Sequence, residues 1–204
     1  MTDLIFGAAF VIAAYFVGAL PTAHLIALRS GRDIRTLGTG NVGALNALRS
    51  LGKIAAATVF VVDIGKASLV MLAGLAIDTP DWSMYAGAIM TMIGHNFPVY
   101  IGFRGGKGAA VMTGISLVIL PVLTLISVPA LLVGYVIFRS AFWAMMLTFL
   151  TINTLTIVTG QPLAQIVLCI VLTLLVGSTH LFRASRLLWP AIKSLDFHRI
   201  GQIE

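Results

Sequence analysis

The sequence predicts an all-α integral membrane protein with seven transmembrane helices, two of them short, the amino terminus outside and the carboxyl terminus cytoplasmic. Three observations lead there. Of 204 residues, 59% are hydrophobic and 10% charged, and the mean hydropathy is +1.03, so most of the exterior must face lipid. Apolar runs of about 20 residues, the length that crosses a hydrocarbon core ~30 Å thick, recur along the chain. The 13 Lys and Arg residues fall largely between these runs, and short basic loops stay on the cytoplasmic side.

The first run, 4–28, is longer than a signal peptide and has no basic segment before it, so it reads as a retained span. Runs 54–77 and 82–103 follow, and 141–159 and 162–182 close the series. Between them lies 109–138, which carries Pro121 and Pro129 and fits either one long helix or two short ones. Charge decides. If this segment crosses twice with a bend near Pro121, then Arg29, Arg32, Arg35, Arg49, Lys53, Arg104, Lys107, Arg139, Arg183, Arg186, Lys193 and Arg199 all face the cytoplasm. Only Lys66 then remains inside a span. A single crossing would move Arg139 and the whole basic tail outside. The outer loops of the seven-span arrangement hold Asp78 and Asp81, or no charge at 160–162. Two helices of about fifteen residues are short at 1.5 Å per residue, so bilayer thinning or tilt is expected there. The single cysteine, Cys169, excludes an internal disulfide and leaves the redox compartment open. The tail 183–199, with Leu187, Leu188, Trp189, Ile192, Leu195 and Phe197 among its cations, reads as a segment lying along anionic headgroups; nucleic acid is not expected.

Two glycine-bearing basic loops fall on the cytoplasmic face in this topology. In 31–53, Gly38, Gly40 and Gly43 free the backbone to present N–H groups, Thr39, Asn41 and Asn46 offer neutral hydrogen bonds, and Arg49 offers a planar fork suited to phosphate. A helix starting near Val42 would place Asn46 and Arg49 on one face. The second loop, FRGGKG, repeats this chemistry with Lys107 as the point charge. Alone it reads equally as a loop that retains cations inside; two such loops on one face favour a shared phosphate site. Neither has the spacing of a Walker loop, so ATP is not indicated.

Charges at membrane depth are costly, at least about 2.5 kcal/mol each, and are normally paired. Asp63 and Lys66, at i and i+3, read first as a mutual ion pair locking their helix to its neighbours and only second as catalytic. His95 and Asn96 precede the second loop; the imidazole reads first as a helix-to-helix hydrogen bond and second as a group that orders that loop. His24 reads as an interfacial residue, and His180 as the end of the last span.

The stretches GALPTAHLIA (18–27), DIRTLGTGNVGALNALRSLGK (33–53), DIGK (63–66) and GHNFPVYIGFRGGKGAA (94–110) resemble the bacterial integral membrane acyl-phosphate:glycerol-3-phosphate acyltransferases. The likeness is close over 18 to about 114, and length and topology match throughout. It implies one transmembrane domain over 1–204 in the bacterial plasma or inner membrane, with its site facing the cytoplasm. It further implies transfer of a fatty acyl group from acyl phosphate to glycerol 3-phosphate, giving lysophosphatidic acid for phospholipid synthesis. No cofactor or metal is implied. The expected partners are the two substrates and membrane lipids, with no nucleic acid and no obligate protein partner.

By the same resemblance Thr39, where the family usually has serine, and Arg49 belong to a first substrate motif. Gly105, Gly106, Lys107 and Gly108 match a second, acyl-phosphate-binding motif, and His180 matches the histidine of a third. The catalytic set implied is Thr39, Arg49, Lys107 and His180. Substrate contacts are expected from Gly38, Gly40, Asn41, Gly43, Asn46, His95, Asn96, Gly105, Gly106, Gly108 and Arg183. The third motif departs from the family: Phe142 stands in place of a serine, Arg183 in place of an asparagine and Ile192 in place of a glutamate. These changes leave two alternatives beside acyl transfer to glycerol 3-phosphate, namely another acyl acceptor, or a non-catalytic binder of a phosphorylated lipid.

Overall fold

Proline and glycine cut the apolar runs into more pieces than hydropathy alone suggests. The computed structural model describes residues 1–193, with side chains described as far as Ser185. Ten α-helices, α1 (Thr2–Gly18), α2 (Thr22–Leu28), α3 (Ala44–Leu51), α4 (Lys53–Ala76), α5 (Asp81–Asn96), α6 (Ala109–Ile119), α7 (Pro121–Ile126), α8 (Val128–Phe138), α9 (Ala141–Val158) and α10 (Leu163–Lys193), account for nearly all of them, and no strand occurs among the described residues.

The run 4–28 is not one helix. Pro21 lacks an N–H and disfavours helical geometry in the residue before it, so α1 and α2 are separated by a break at 19–21. The third run also ends early: α5 stops at Asn96 ahead of Pro98, and 97–108 is loop apart from one 3-10 turn at Val99–Ile101. The bend expected near Pro121 is present, and a second break falls at Ser127, two residues before Pro129. α10 continues well beyond 182, and at ~1.5 Å per residue its 31 residues reach about 46 Å, so His180 lies inside the helix and not at its end.

Among the described residues five segments are long and apolar enough to cross a membrane: Thr2–Leu28, Lys53–Ala76, Pro121–Phe138, Ala141–Val158 and Leu163–Ser185. Their outward side chains are those that lipid accepts, including Leu4, Ile54, Leu69, Val122, Val136, Val158 and Leu174, each more than 60% exposed.

The chain forms two compact units, Met1–Thr124 and Leu125–Glu204. In the first, α1 packs along α5, α4 along α6, and α3 folds back onto α4. Glycine permits the α1–α5 contact: a Cβ at Gly94 would meet the Tyr15 carbonyl oxygen and lie 2.9 Å from the Ala19 nitrogen. Both are backbone atoms, which cannot rotate away. Gly94→Ala is therefore expected to lower stability by about 1–3 kcal/mol, read as an earlier thermal unfolding midpoint in detergent. In the second unit α8 packs on α9 and α9 on α10, joined by a hydrogen bond from Asn153 Nδ2 to Thr173 Oγ1 (3.0 Å).

Candidate active site

The first glycine loop is held from within. Ile34 and Val42 are buried in a small apolar core with Ala23, Ala27, Ala47, Ala56, Val59 and Ile101, which pins both ends of the segment. α3 begins at Ala44, two residues later than the predicted start near Val42. Asn46, on its first turn, is only 1% exposed. Its Nδ2 donates to the carbonyls of Leu37 (2.9 Å), Asn41 (2.9 Å) and Ile34 (3.2 Å), and its Oδ1 accepts from the Thr39 N–H (3.1 Å). The sequence placed Asn46 against phosphate; in the fold its amide is bonded to the backbone of the loop that carries Thr39 and Asn41, and it shapes that loop. Those two side chains are half-buried, and Arg49, one turn along α3, is exposed.

A second brace went unread in the sequence. Arg35 grips Asp33 with two nitrogens, Nη2–Oδ2 at 2.7 Å and Nε–Oδ1 at 3.0 Å, and its Nη1 donates to the Ile101 carbonyl (3.2 Å). His24, expected at the interface, is buried with Nδ1 3.3 Å from Asp33 Oδ1. The only signal was an opposite-charge pair two residues apart, which in a flexible loop usually has no fixed partner. The side-chain hydrogen bond from Arg35 holds the Asp33 carboxyl well below the usual carboxylate range, and the Arg35 guanidinium is correspondingly raised. Because the folded pKa is depressed, the stabilisation is fully present above the ordinary value of 3.8 and is lost progressively as pH falls from there toward the lower folded value. Wild-type loop protection against a protease active in acid should thus be full at about pH 5 and weaken progressively below about pH 4, whereas Asp33→Asn should lack the extra protection at every pH.

The second loop is built on the end of α5. Gly106 N–H donates to the His95 carbonyl (2.9 Å) and Gly105 N–H to the Asn96 carbonyl (3.2 Å). Added Cβ atoms would strike the His95 carbonyl from Gly105 and the His95 imidazole from Gly106. Gly108 sits at φ +89° as the residue capping α6, a conformation L side chains rarely adopt. Lys107 is half-buried between buried glycines, at the amino-terminal end of α6.

The two loops meet. Val42 N–H donates to the Gly105 carbonyl (3.2 Å), beside the Arg35–Ile101 contact. Thr39, Asn41, Gly43 and the 105–108 segment therefore belong to one surface of the first unit. Beneath it, Asp63 and Lys66 form the expected ion pair at 2.8 Å, both almost fully buried. The pair reaches α2 through Thr22 Oγ1, which donates to Asp63 Oδ1 (2.9 Å), and the α1–α2 break through the Leu20 carbonyl, 2.8 Å from Lys66 Nζ. It reaches α5 through His95 Nδ1, 3.1 Å from the same Nζ.

The remaining expected residues lie in the second unit. His180 on α10 is buried, and Phe142 on α9 stacks face to face on it, with ring centres 3.4 Å apart and planes 12° from parallel. A hydroxyl expected from the resemblance is thus replaced by an aromatic clamp. Arg183, one turn beyond His180, is half-buried. The side chains of Arg186 and Ile192 and the rest of the predicted headgroup-binding tail lie outside the described residues. Among the described residues no three His, Cys, Asp or Glu side chains gather as a metal ligand set.

A loop of glycines entering a helix amino terminus, with a lysine at the junction and a second basic glycine loop bonded to it, has the chemistry of an anion cradle: backbone N–H groups, partial positive charge and a cation on one surface. The fold and this surface define a helical integral membrane protein with a basic, glycine-rich loop surface. The family model for glycerol-3-phosphate acyltransferase matches residues 8–189. The chain belongs to that family. It is 34% identical over 177 residues to the glycerol-3-phosphate acyltransferase of Thermus thermophilus, covering 87% of this chain and 89% of that one. It is 35% identical to the enzyme of the same name from Halalkalibacterium halodurans, covering 87% and 90%. The crystal structure of PlsY (YgiH), an integral membrane glycerol 3-phosphate acyltransferase, in its glycerol 3-phosphate form superposes with a TM-score of 0.82 at 28% identity, over 93% of this chain and 98% of that one.

Proposed function

We propose that this protein transfers a fatty acyl group from acyl phosphate to glycerol 3-phosphate, releasing lysophosphatidic acid and inorganic phosphate at the start of phospholipid synthesis. The hydrogen bond from Val42 to Gly105 carries the reading, because it joins the two basic glycine loops into one surface. The family match supports the acceptor, and a related PlsY structure is a lysophosphatidic acid form.

The acceptor hydroxyl oxygen attacks the acyl carbonyl carbon. A carbon–oxygen ester bond forms, the bond to the phosphate oxygen breaks, and the hydroxyl proton passes to a phosphate oxygen. Phosphate is a good leaving group, so the protein's work is positioning and charge stabilisation. In this reading Lys107 and the start of α6, which the 105–108 loop positions, hold the acyl phosphate, and Thr39, Asn41 and Arg49 meet the second anion. His180 and Arg183 take roles that their third-motif positions suggest. Each charge-assisted hydrogen bond contributes about 1.5–3 kcal/mol.

The same reading makes 1–204 one functional domain in a bacterial plasma or inner membrane, its amino terminus outside and its site on the cytoplasmic face. Its seven crossings are α1–α2, α4, α5, α6, α7–α8, α9 and α10. α6 has 11 residues and spans only about 17 Å, so the bilayer thins around it.

Phosphate release from a synthetic long-chain acyl phosphate, with and without glycerol 3-phosphate, tests the proposal. Release that requires glycerol 3-phosphate and matches lysophosphatidic acid formed one to one is expected. The stack of Phe142 on His180 favours one competing outcome, release dependent on a different alcohol. Tight binding without any release would establish a binder instead.

A further inference from the structure

We propose that the buried Asp63–Lys66 pair sets the tautomer of His95, so that its Nε2 is a standing hydrogen-bond donor to the substrate at the glycine loop. This rests on the reading above that 105–108 holds the acyl phosphate.

The geometry begins at Lys66. Its ammonium carries three N–H groups and faces three acceptors: Asp63 Oδ1 at 2.8 Å, the Leu20 carbonyl at 2.8 Å and His95 Nδ1 at 3.1 Å. An ammonium has no lone pair and cannot accept a hydrogen bond. Nδ1 must therefore offer its own lone pair, and the single imidazole proton sits on Nε2. Asp63 keeps the ammonium charged and, with Thr22 on its Oδ1, keeps it in place. Asp63 is 3.8 Å from His95 Nδ1, too far for a direct hydrogen bond, so it acts through Lys66.

The other edge of the ring faces the loop. A Cβ on Gly106 would collide with His95 Nε2 and lie within 2.8 Å of Cε1 and Cδ2, so the imidazole is packed against the Gly106 backbone. The same residue's carbonyl accepts the Gly106 N–H at 2.9 Å. One residue thus shapes the cradle with its main chain and lends it a donor with its side chain. His95 is no base here, because its accepting nitrogen is committed to Lys66. It donates to an acyl-phosphate oxygen as negative charge develops there. Asp63 and Lys66 are positioning residues.

Nitrogen-15 NMR of the full chain, labelled at histidine and assigned by loss of one of its four pairs of ring-nitrogen signals in His95→Gln, reads the tautomer directly. The expected wild-type signature is an unprotonated Nδ1 and a protonated Nε2. Asp63→Asn combined with Lys66→Met removes both charges, so no buried charge is left alone. That double variant should show mixed tautomers and a kcat lowered roughly 10- to 100-fold with the KM for glycerol 3-phosphate little changed. His95→Gln, which keeps a donor at the Nε2 position, should retain more turnover than His95→Asn, whose amide is too short to reach it. A wild-type signal showing a proton on Nδ1 would overturn the proposal even if the double variant failed to fold. So would equal turnover by His95→Asn and wild type. Phosphate release by the wild-type preparation reads the acyltransferase assignment separately.

Discussion

Asn46→Asp is expected to abolish acyl transfer and loosen the first loop, although it changes an amide nitrogen only to an oxygen. Nδ2 is the donor to three backbone carbonyls, at Ile34, Leu37 and Asn41. An ionised carboxylate oxygen in its place would face all three with no hydrogen to share. Each buried carbonyl left without its donor costs about 1–3 kcal/mol, before the repulsion between oxygens is counted. The side chain is almost wholly excluded from water, so solvent cannot replace the lost partners. Trypsin provides the readout, since Arg32 and Arg35 flank the segment. The wild-type loop should resist cleavage and the variant should be cut quickly, with turnover lost in parallel. An Asn46→Asp protein that resisted trypsin and turned over normally would show that the loop is held by other means.

Gly106→Leu should eliminate turnover while membrane insertion proceeds normally. Even the first carbon of the new side chain would run into the His95 imidazole, which Lys66 holds from its far side. The loop must then move off α5, Gly105 and Gly106 lose their bonds to the Asn96 and His95 carbonyls, and Lys107 is displaced with them. Loss of correctly aimed donors lowers kcat by about 100-fold or more in comparable sites. Gly65→Ala is the matched control: it lies in α4, nothing stands within 4 Å of the added carbon, and turnover should be unchanged. Membrane-fraction yield and thermal stability separate a damaged cradle from a misfolded protein. Normal turnover by Gly106→Leu would remove the cradle from the mechanism.

Much of the site could be read before any coordinates. The two glycine loops, the cation in each and the Asp63–Lys66 pair announce themselves because charge and glycine are rare in an apolar chain. The roles within that set were harder. Asn46 looks like a ligand in a polar loop, and only the positions of three carbonyls reveal it as a brace. The Asp33–Arg35 clamp gave little warning, since its value lies in the reach of Arg35 to Ile101, 66 residues away. The stack of Phe142 on His180 joins residues of different helices and has no local signature.

The fold divides in the same way. Hydropathy placed the five segments long and apolar enough to cross a membrane, and Pro121 placed a break, because both are properties of a residue and its immediate neighbours. The break at 19–21 and the early end of α5 have local causes too, Pro21 and Pro98, which a hydropathy run passes over, whereas the continuation of α10 to Lys193 has no such marker.

Composition and the order of charges suffice to make this chain a helical membrane protein with basic glycine loops, since lipid admits few other uses of such residues. Tertiary structure alone decided that Val42 would bond to Gly105 and that His95 would stand between Lys66 and Gly106. Such contacts join segments dozens of residues apart, and their energy comes from distances and angles that no local pattern encodes.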